Sequence, residues 1–463
     1  MSDHDTLFRA IADVVGDRHC LVGEAALERA TSDWSRMGKP VAHVRPANTG
    51  EVSAVLRLCN EAGMPVSPWG GKTGLVHGAN GDGAVALSLD RMTAIEAVDV
   101  MGGTISVEAG CILQVATEAA EAQGLSLPID LGSRGSATIG GVIATNAGGN
   151  RVIRYGMTRD LVLGLEAVLA DGTIVSSMNC LIKNNAGYDL KQMFIGSEGT
   201  LGVVTRAVLR LRPLPTSQDT AFVGCSRFDQ LPLLLRHMEK RLGGALSAFE
   251  VMWREFVELV TTAPALGRSP LGDPYPFSVL IEGQGADQES DSARFEAALS
   301  EALELGMIED AAIAKSQTER NAMWELRDDI SQTARNWPIF TYDVSLPIDR
   351  MEAYVDEVRA ALGAGWGDAA TLTVFGHLGD GNLHLITGVG SRTKETKSAV
   401  DAIVYGGIRK REGSISAEHG IGLEKRDYLG YSRSPEEIAL MRRLKAALDP
   451  NNILNAGKVL APA

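Results

Sequence analysis

The sequence predicts an α+β protein with two domains and a C-terminal helical segment. Three observations carry that prediction. The chain has 463 residues, more than one ordinary hydrophobic core accommodates. Residues 1–213 are glycine-rich and alternate short apolar runs with helical ones. At "RLRPLPTS" (210–217) prolines break the pattern, and longer amphipathic helices then stand between strands. The expected division is 1–213, 214–412 and 413–463. The middle part is a cap built on an antiparallel sheet, and the last segment completes the active site.

Each element has a local reason. "EVSAVLRLCNEAG" (51–63) spaces its apolar residues for one helix face and stops on glycine. "MPVSPWGG" then reads as a strand entering a turn, and "GAVALSLDRM", "TAIEAVDV" and "TISVEAGCI" read as strands. "QVATEAAEAQG" is a second helix that ends on glycine. "LVLGLEAVLADGTIV" (161–175) joins two apolar runs through Asp171-Gly172, a hairpin signal. "DSARFEAALSEALELG", "ERNAMWELRDDISQTAR" and "PEEIALMRRLKAALDP" are amphipathic helices.

Composition narrows the function. Hydrophobic content of 45% with 22% charged residues is that of a soluble globular protein. A net charge of −14, with no basic run, argues against nucleic acid as a partner. Cys20, Cys59, Cys111, Cys180 and Cys225 form no C-x-x-C pair and read as reduced thiols without a role. The N-terminal "MSDHDTLFRAIADVVG" lacks a signal-peptide apolar core, and no window has the length of a membrane span. The expected location is the cytoplasm.

Three glycine-rich segments can bring backbone close to a ligand: 69–75, 131–156 and 194–205. In "SPWGGKTGL" (67–75), Gly71-Lys72-Thr73 suggests a nucleotide-triphosphate loop. The first glycine of that pattern would fall at Val66, so the motif fails on spacing. No G-x-G-x-x-G occurs anywhere, which leaves a Rossmann dinucleotide site unsupported. A single glycine segment is more often only a turn; three in one domain point to a large phosphate-bearing cofactor.

"PWGGKTGL", "PIDLGSRGSATIGGVIATNAGG" and "FIGSEGTLGVVT", in that order, resemble the flavin-binding domain of the vanillyl-alcohol oxidase and p-cresol methylhydroxylase superfamily. The resemblance implies a two-subdomain FAD-binding domain. Its first loop, Pro68, Trp69, Gly70, Gly71, Lys72, Thr73, Gly74 and Leu75, would wrap the pyrophosphate. The second segment would line the flavin through Leu131, Gly132, Ser136, Thr138, Ile139, Gly140, Gly141, Asn146 and Gly149. Glu198, Gly199, Gly202 and Val203 of the third, with Asn382 and Asn455, complete the implied cofactor set. Lys72 stands in the loop where covalently flavinylated members often carry a linking histidine, and His77 lies beyond it, so non-covalent FAD is expected.

The chain has eight histidines. His4, His19, His43 and His237 have ordinary surroundings. In "TVFGHLGDGNLHLITG" (373–388), His377 and His384 sit on two apolar strands flanking Leu378–Asn382, and a bend could unite their imidazoles. "GSISAEHGIG" (413–422) adds Glu418 and His419. Two histidines and a carboxylate with an open position form a catalytic zinc pattern, although hydrogen-bonded structural histidines are commoner. Neighbours in a strand face opposite ways, so Glu418 and His419 share a site only where Gly420 and Gly422 bend the chain.

"FGHLGDGNLH", "SISAEHGIG", "LKAALDPNNILNAGK" and "NNAGYDLKQMFIGSEGTLG" resemble the D-2-hydroxyglutarate and D-lactate dehydrogenase branch of that superfamily. The similarity runs from about Glu51 to the end and is weakest at 218–320. It implies His377, His384 and Glu418 as ligands of a divalent metal. Ligand type favours zinc, with manganese, iron or cobalt as alternatives. It further implies His419 as base, Asn382 near flavin and substrate, and Arg327 as the grip on the substrate carboxylate; without it, Arg327 reads as an exposed helix ion pair. Ser331, Thr341 and Tyr342 join Arg327 and His419 as the substrate-binding set. Thr341 stands where 2-hydroxyglutarate enzymes tend to carry a lysine before Tyr-Asp, which suggests substrates with short or apolar side chains, D-lactate among them, with D-2-hydroxyglutarate the alternative if Arg335 replaces the missing charge.

The expected function is FAD- and metal-dependent oxidation of a D-2-hydroxy acid, with the C2 hydrogen passing to flavin N5. Expected partners are an electron acceptor, such as an electron-transfer flavoprotein or a quinone, and a second copy in a homodimer. Two alternatives stand beside it: a metal-free flavin alcohol oxidase of the same fold, and a zinc hydrolase whose glycine-rich loops are structural.

Overall fold

A computed structural model describes residues 3–272 and 274–462. The chain folds into two compact units. One comprises 1–149, 156–214 and 418–463; the other comprises 150–155 and 215–417.

Among its described residues, the first unit carries three sheets. One has the order Cys20–Val22, Ala42–Val44, Val85–Ser88, Val66–Trp69, antiparallel at the first pairing and parallel at the others. The second is antiparallel throughout, in the order Ile95–Asp99, Thr104–Glu108, Val203–Arg210, Val162–Val168, Ile174–Ser177. Leu125–Ser126 and Arg212–Pro213 make a short third ribbon. The expected hairpin is the pairing of Val162–Val168 with Ile174–Ser177, and Gly172 supplies the positive φ of its turn.

The helix Thr49–Glu61 shows how sequence sets position. Asn48 caps it by accepting the Glu51 N–H at 2.9 Å. Val52, Val55, Leu56 and Cys59, spaced along one face, are fully buried in the same core as Val85 and Leu87. Burial stabilises by about 1.5–3 kcal/mol for each large aliphatic side chain.

The second unit is built on an antiparallel sheet. Its order among the described residues is Asp310–Ile313, Ser217–Cys225, Phe277–Gly285, Leu246–Trp253, Thr371–His377, Asn382–Gly388, Ile339–Ser345. Alternation puts Phe222, Leu280, Met252, Phe375, Ile386 and Ile339 on one face, where they form a core with Leu326 and Phe256. The same face carries charge a little further along each strand. Glu250 is the register partner of His377, and His384 stands between Phe375 and Asp343 as partner of both. The sheet thus passes from apolar packing to a polar row without changing face.

"ERNAMWELRDDISQTAR" does not form one continuous helix. Gln317–Asp328 is α-helical, Asp329 leaves the helical region at ψ 52°, and Ile330–Asn336 continues as a 3₁₀ helix.

Candidate active site

The glycine-rich segments meet within the first unit. Gly71 approaches the second segment so closely that a Cβ would lie 1.9 Å from Ser136 O, and a Cβ on Gly70 would lie 2.5 Å from Thr138 Oγ1. These two glycines let one loop lie directly on the other. Gly74, Gly132 and Gly135 have open space where a Cβ would stand, so their backbones can face a bound group. Thr138 caps the helix Ile139–Thr145, which contains Gly140 and Gly141 and ends on left-handed Asn146. Backbone amides exposed along such a path suit the phosphates and ring edges of FAD.

The first loop leaves Pro68 and Trp69 at the end of a strand. Lys72 has positive φ, and its Nζ donates to Arg29 O at 3.1 Å. His77 lies between Ser35 Oγ, 2.9 Å from its Nδ1, and the Arg36 guanidinium.

Glu198 fastens the C-terminal segment to this unit. Its carboxylate accepts from Ile421 N at 2.7 Å and Gly422 N at 2.9 Å, while Asn455 Nδ2 donates to its carbonyl at 2.6 Å. Burial pushes the Glu198 carboxyl up despite those two N–H groups. Gly199 lies against Asn455 and Pro68, and Gly202 leads into the strand that starts at Val203. Gly149 N–H donates to Glu418 Oε1 at 3.3 Å. Positive φ at Gly420 and Gly422 provides the expected bend just after Glu418 and His419.

In the second unit the polar row gathers Arg327, His377, His384 and Asn382. Arg327 is buried, sharing its helix face with Met323 and Leu326, rather than exposed, although its Nη1 does lie 3.6 Å from Asp328 Oδ1. Its guanidinium stacks 5.2 Å from the Phe375 ring. Arg327 Nε lies 2.8 Å from Glu250 Oε2, and Nη2 lies 3.3 Å from His377 Nε2. His377 Nδ1 lies 2.8 Å from Glu250 Oε1, and the His377 and His384 ring centroids are 5.4 Å apart. Burial alone would raise the Glu250 carboxyl, but its contacts with His377 and Arg327 hold it below its ordinary range.

Asp343 is fully buried, 4.0 Å from His384 Nδ1. It accepts from Asn382 Nδ2 at 2.7 Å and from Ala417 N–H at 3.1 Å, holding the chain just before Glu418. With Nδ2 committed to Asp343, Asn382 Oδ1 is buried and has no hydrogen-bond partner among the described residues. An orphaned acceptor of this kind fits a ligand hydroxyl or N–H. His384, backed by the buried Asp343 carboxylate, fits a divalent metal, whereas His377 has Nδ1 on Glu250 and Nε2 on Arg327 Nη2 and can ligate only where that second contact gives way.

Not every expected substrate residue reaches this face. Tyr342 points the other way, with its hydroxyl donating to Asp401 Oδ1 at 2.6 Å. Ser331 lies beyond the break at Asp329, and its Oγ donates to Asp329 Oδ1 at 2.6 Å. Thr341 shares the face of Asp343 and is exposed. Sequence reasoning missed Glu250 and Asp343. For Asp343 a signal existed, since strand alternation pairs it with His384; for Glu250, in the run "LSAFEVMW", there was none.

Comparison with known proteins identifies the family. The family described as FAD binding domain matches residues 40–177, and that described as FAD linked oxidases, C-terminal domain, matches 214–459. D-2-hydroxyglutarate dehydrogenase, mitochondrial, of Bos taurus is 41% identical over 438 residues, covering 94% of this chain and 80% of that protein. A putative mitochondrial D-lactate dehydrogenase of Schizosaccharomyces pombe is 37% identical over 442 residues, 93% of this chain and 84% of that protein. D-2-hydroxyglutarate dehydrogenase of Xanthomonas citri is 38% identical, covering 94% and 93%.

In structure, 4-ethylphenol oxidase from Gulosibacter chungangensis superposes with a TM-score of 0.76 at 19% identity, covering 99% of this chain and 98% of that one. p-Cresol methylhydroxylase gives 0.76 at 18% identity, covering 99% and 97%. These two establish the shared fold, which is the one expected. The cytoplasmic expectation is corrected, because the Bos taurus and Schizosaccharomyces pombe relatives are named as mitochondrial enzymes. The FAD binding domain also removes the hydrolase alternative. This chain is an oxidoreductase and belongs to the FAD-linked D-2-hydroxy-acid dehydrogenases, the D-2-hydroxyglutarate and D-lactate dehydrogenase family.

Proposed function

We propose that the enzyme oxidises D-2-hydroxy acids with short or apolar side chains, using non-covalent FAD and a divalent metal, zinc by ligand type. His377 and His384 are its imidazole ligands and Glu418 its carboxylate. When bound, the metal would supply a Lewis acid that lowers the pKa of the substrate hydroxyl, and FAD would supply the acceptor for the C2 hydrogen and its two electrons. The observation that carries this reading is the carboxylate-backed His377 beside His384, within reach of a buried arginine.

The residues divide the work. Arg327 grips the substrate carboxylate through its Nη groups, Nε being committed to Glu250, and Nη2 exchanges its 3.3 Å contact with His377 Nε2 for the substrate. Asn382 Oδ1 offers an acceptor at the reacting face. His419 takes the hydroxyl proton, imidazole being the side chain whose ordinary pKa lies near neutral pH. Non-covalent FAD is favoured because Lys72 occupies the loop and His77 is engaged with Ser35 and Arg36. An electron-transfer flavoprotein or a quinone then reoxidises the flavin.

The short-substrate preference follows from charge. Thr341 supplies no cation for a distal carboxylate, and Arg335 Nη1 is spent on the carbonyls of Thr262 and Ala263.

His419→Ala tests the division of roles. The variant should keep FAD and metal at wild-type content and reduce flavin about a hundredfold or more slowly. Loss of metal in His419→Ala would contradict it by making His419 a ligand.

A further inference from the structure

Glu250 lies mid-strand in Leu246–Trp253, where every residue is buried. An ionised carboxylate there is costly unless its lone pairs are taken. Both oxygens are taken, by His377 Nδ1 and Arg327 Nε, each at 2.8 Å. A carboxylate only accepts hydrogen bonds. The imidazole proton therefore sits on Nδ1, and the Nε2 lone pair, on the far side of the ring from Glu250, accepts from Arg327 Nη2 at 3.3 Å until a metal takes its place. The other oxygen fixes the roll of the guanidinium about its long axis.

We infer that Glu250 is a positioning residue of the reaction. One buried carboxylate sets the tautomer of a metal-ligating histidine and the orientation of the carboxylate-gripping arginine. The two would then be aligned by the same group, although they lie 127 and 77 residues from it in sequence. This inference rests on the metal reading above. Glutamine cannot replace glutamate here, because its amide has one acceptor and one donor face. Turned one way, N–H meets the Arg327 N–H; turned the other, it forces the His377 proton onto Nε2.

The test titrates Zn²⁺ into metal-stripped, FAD-loaded wild type, Glu250→Gln and His377→Ala. Glu250→Gln should bind zinc about 10- to 100-fold more weakly. It should keep wild-type FAD content and show a raised KM for D-lactate as well as a lower kcat. In ¹⁵N spectra of histidine-labelled, metal-stripped wild type, His377 should be protonated on Nδ1. Zinc affinity within about twofold of wild type in Glu250→Gln, with His377→Ala having lost zinc, would overturn the inference alone. Zinc retained by His377→Ala would instead overturn the metal reading, and this inference with it. If Glu250→Gln fails to fold, the wild-type spectrum decides, and a proton on Nε2 refutes the assignment.

Discussion

His377 and His384 project from neighbouring antiparallel strands onto one face, their ring centroids 5.4 Å apart and their planes at 81°. Phe375 pairs with His384, so His377 stands two residues along, in the diagonal position whose side chains converge. His377→Ala and His384→Ala should each lose zinc and at least about a hundredfold in turnover. Flavin absorbance should stay at wild-type level, because the glycine-rich loops belong to the other unit. Metal analysis beside the visible spectrum checks this; loss of FAD with the metal would contradict it.

Thr341 should set substrate preference. Wild type should show a higher kcat/KM for D-lactate than for D-2-hydroxyglutarate. Thr341→Lys should move the ratio toward the dicarboxylate by about 1.4- to 5-fold, since an ion pair at an exposed position is worth roughly 0.2–1 kcal/mol. A strong wild-type preference for D-2-hydroxyglutarate would show that another cation meets its far end.

Lys458 should make stability depend on pH. Its Nζ is buried, 2.9 Å from Ser67 Oγ and 2.6 Å from Asn455 Oδ1, and burial pushes it down to about 7 from an ordinary 10.5. Between those values the unfolded chain holds the proton and the folded one does not. Stability therefore rises with pH across that window, by roughly 1.4 kcal/mol per pH unit, and the gain is lost as pH falls through 7. The melting temperature of wild type relative to Lys458→Met, measured with excess FAD, should climb from pH 7 to 9. Parallel curves would contradict it.

Much of the fold was legible because its signals are local. The Asp171-Gly172 turn, the glycine stop after the helix Thr49–Glu61 and the two strands around Leu378–Asn382 each depend on neighbours in sequence. The break at Asp329 was not legible: the apolar spacing continues through it, and only the structure shows Ser331 turned back onto Asp329. Alternation already turns Tyr342, between Thr341 and Asp343, away from the face that both share and onto Asp401. Glu250 was invisible because a lone glutamate in an apolar strand has no pattern. Its meaning comes entirely from partners 77 and 127 residues distant.

On the proposed function, flavin reduction by a D-2-hydroxy acid needs a metal held by His377 and His384. The most direct test of that claim is anaerobic mixing of the FAD-loaded enzyme with D-lactate while the oxidised-flavin absorbance is followed. Zinc-loaded enzyme should bleach rapidly with D-lactate and not with L-lactate. Chelator-treated enzyme should bleach about a hundredfold or more slowly and recover when zinc is returned. Equal bleaching rates with and without metal would contradict the claim and leave a metal-free flavin oxidation in its place.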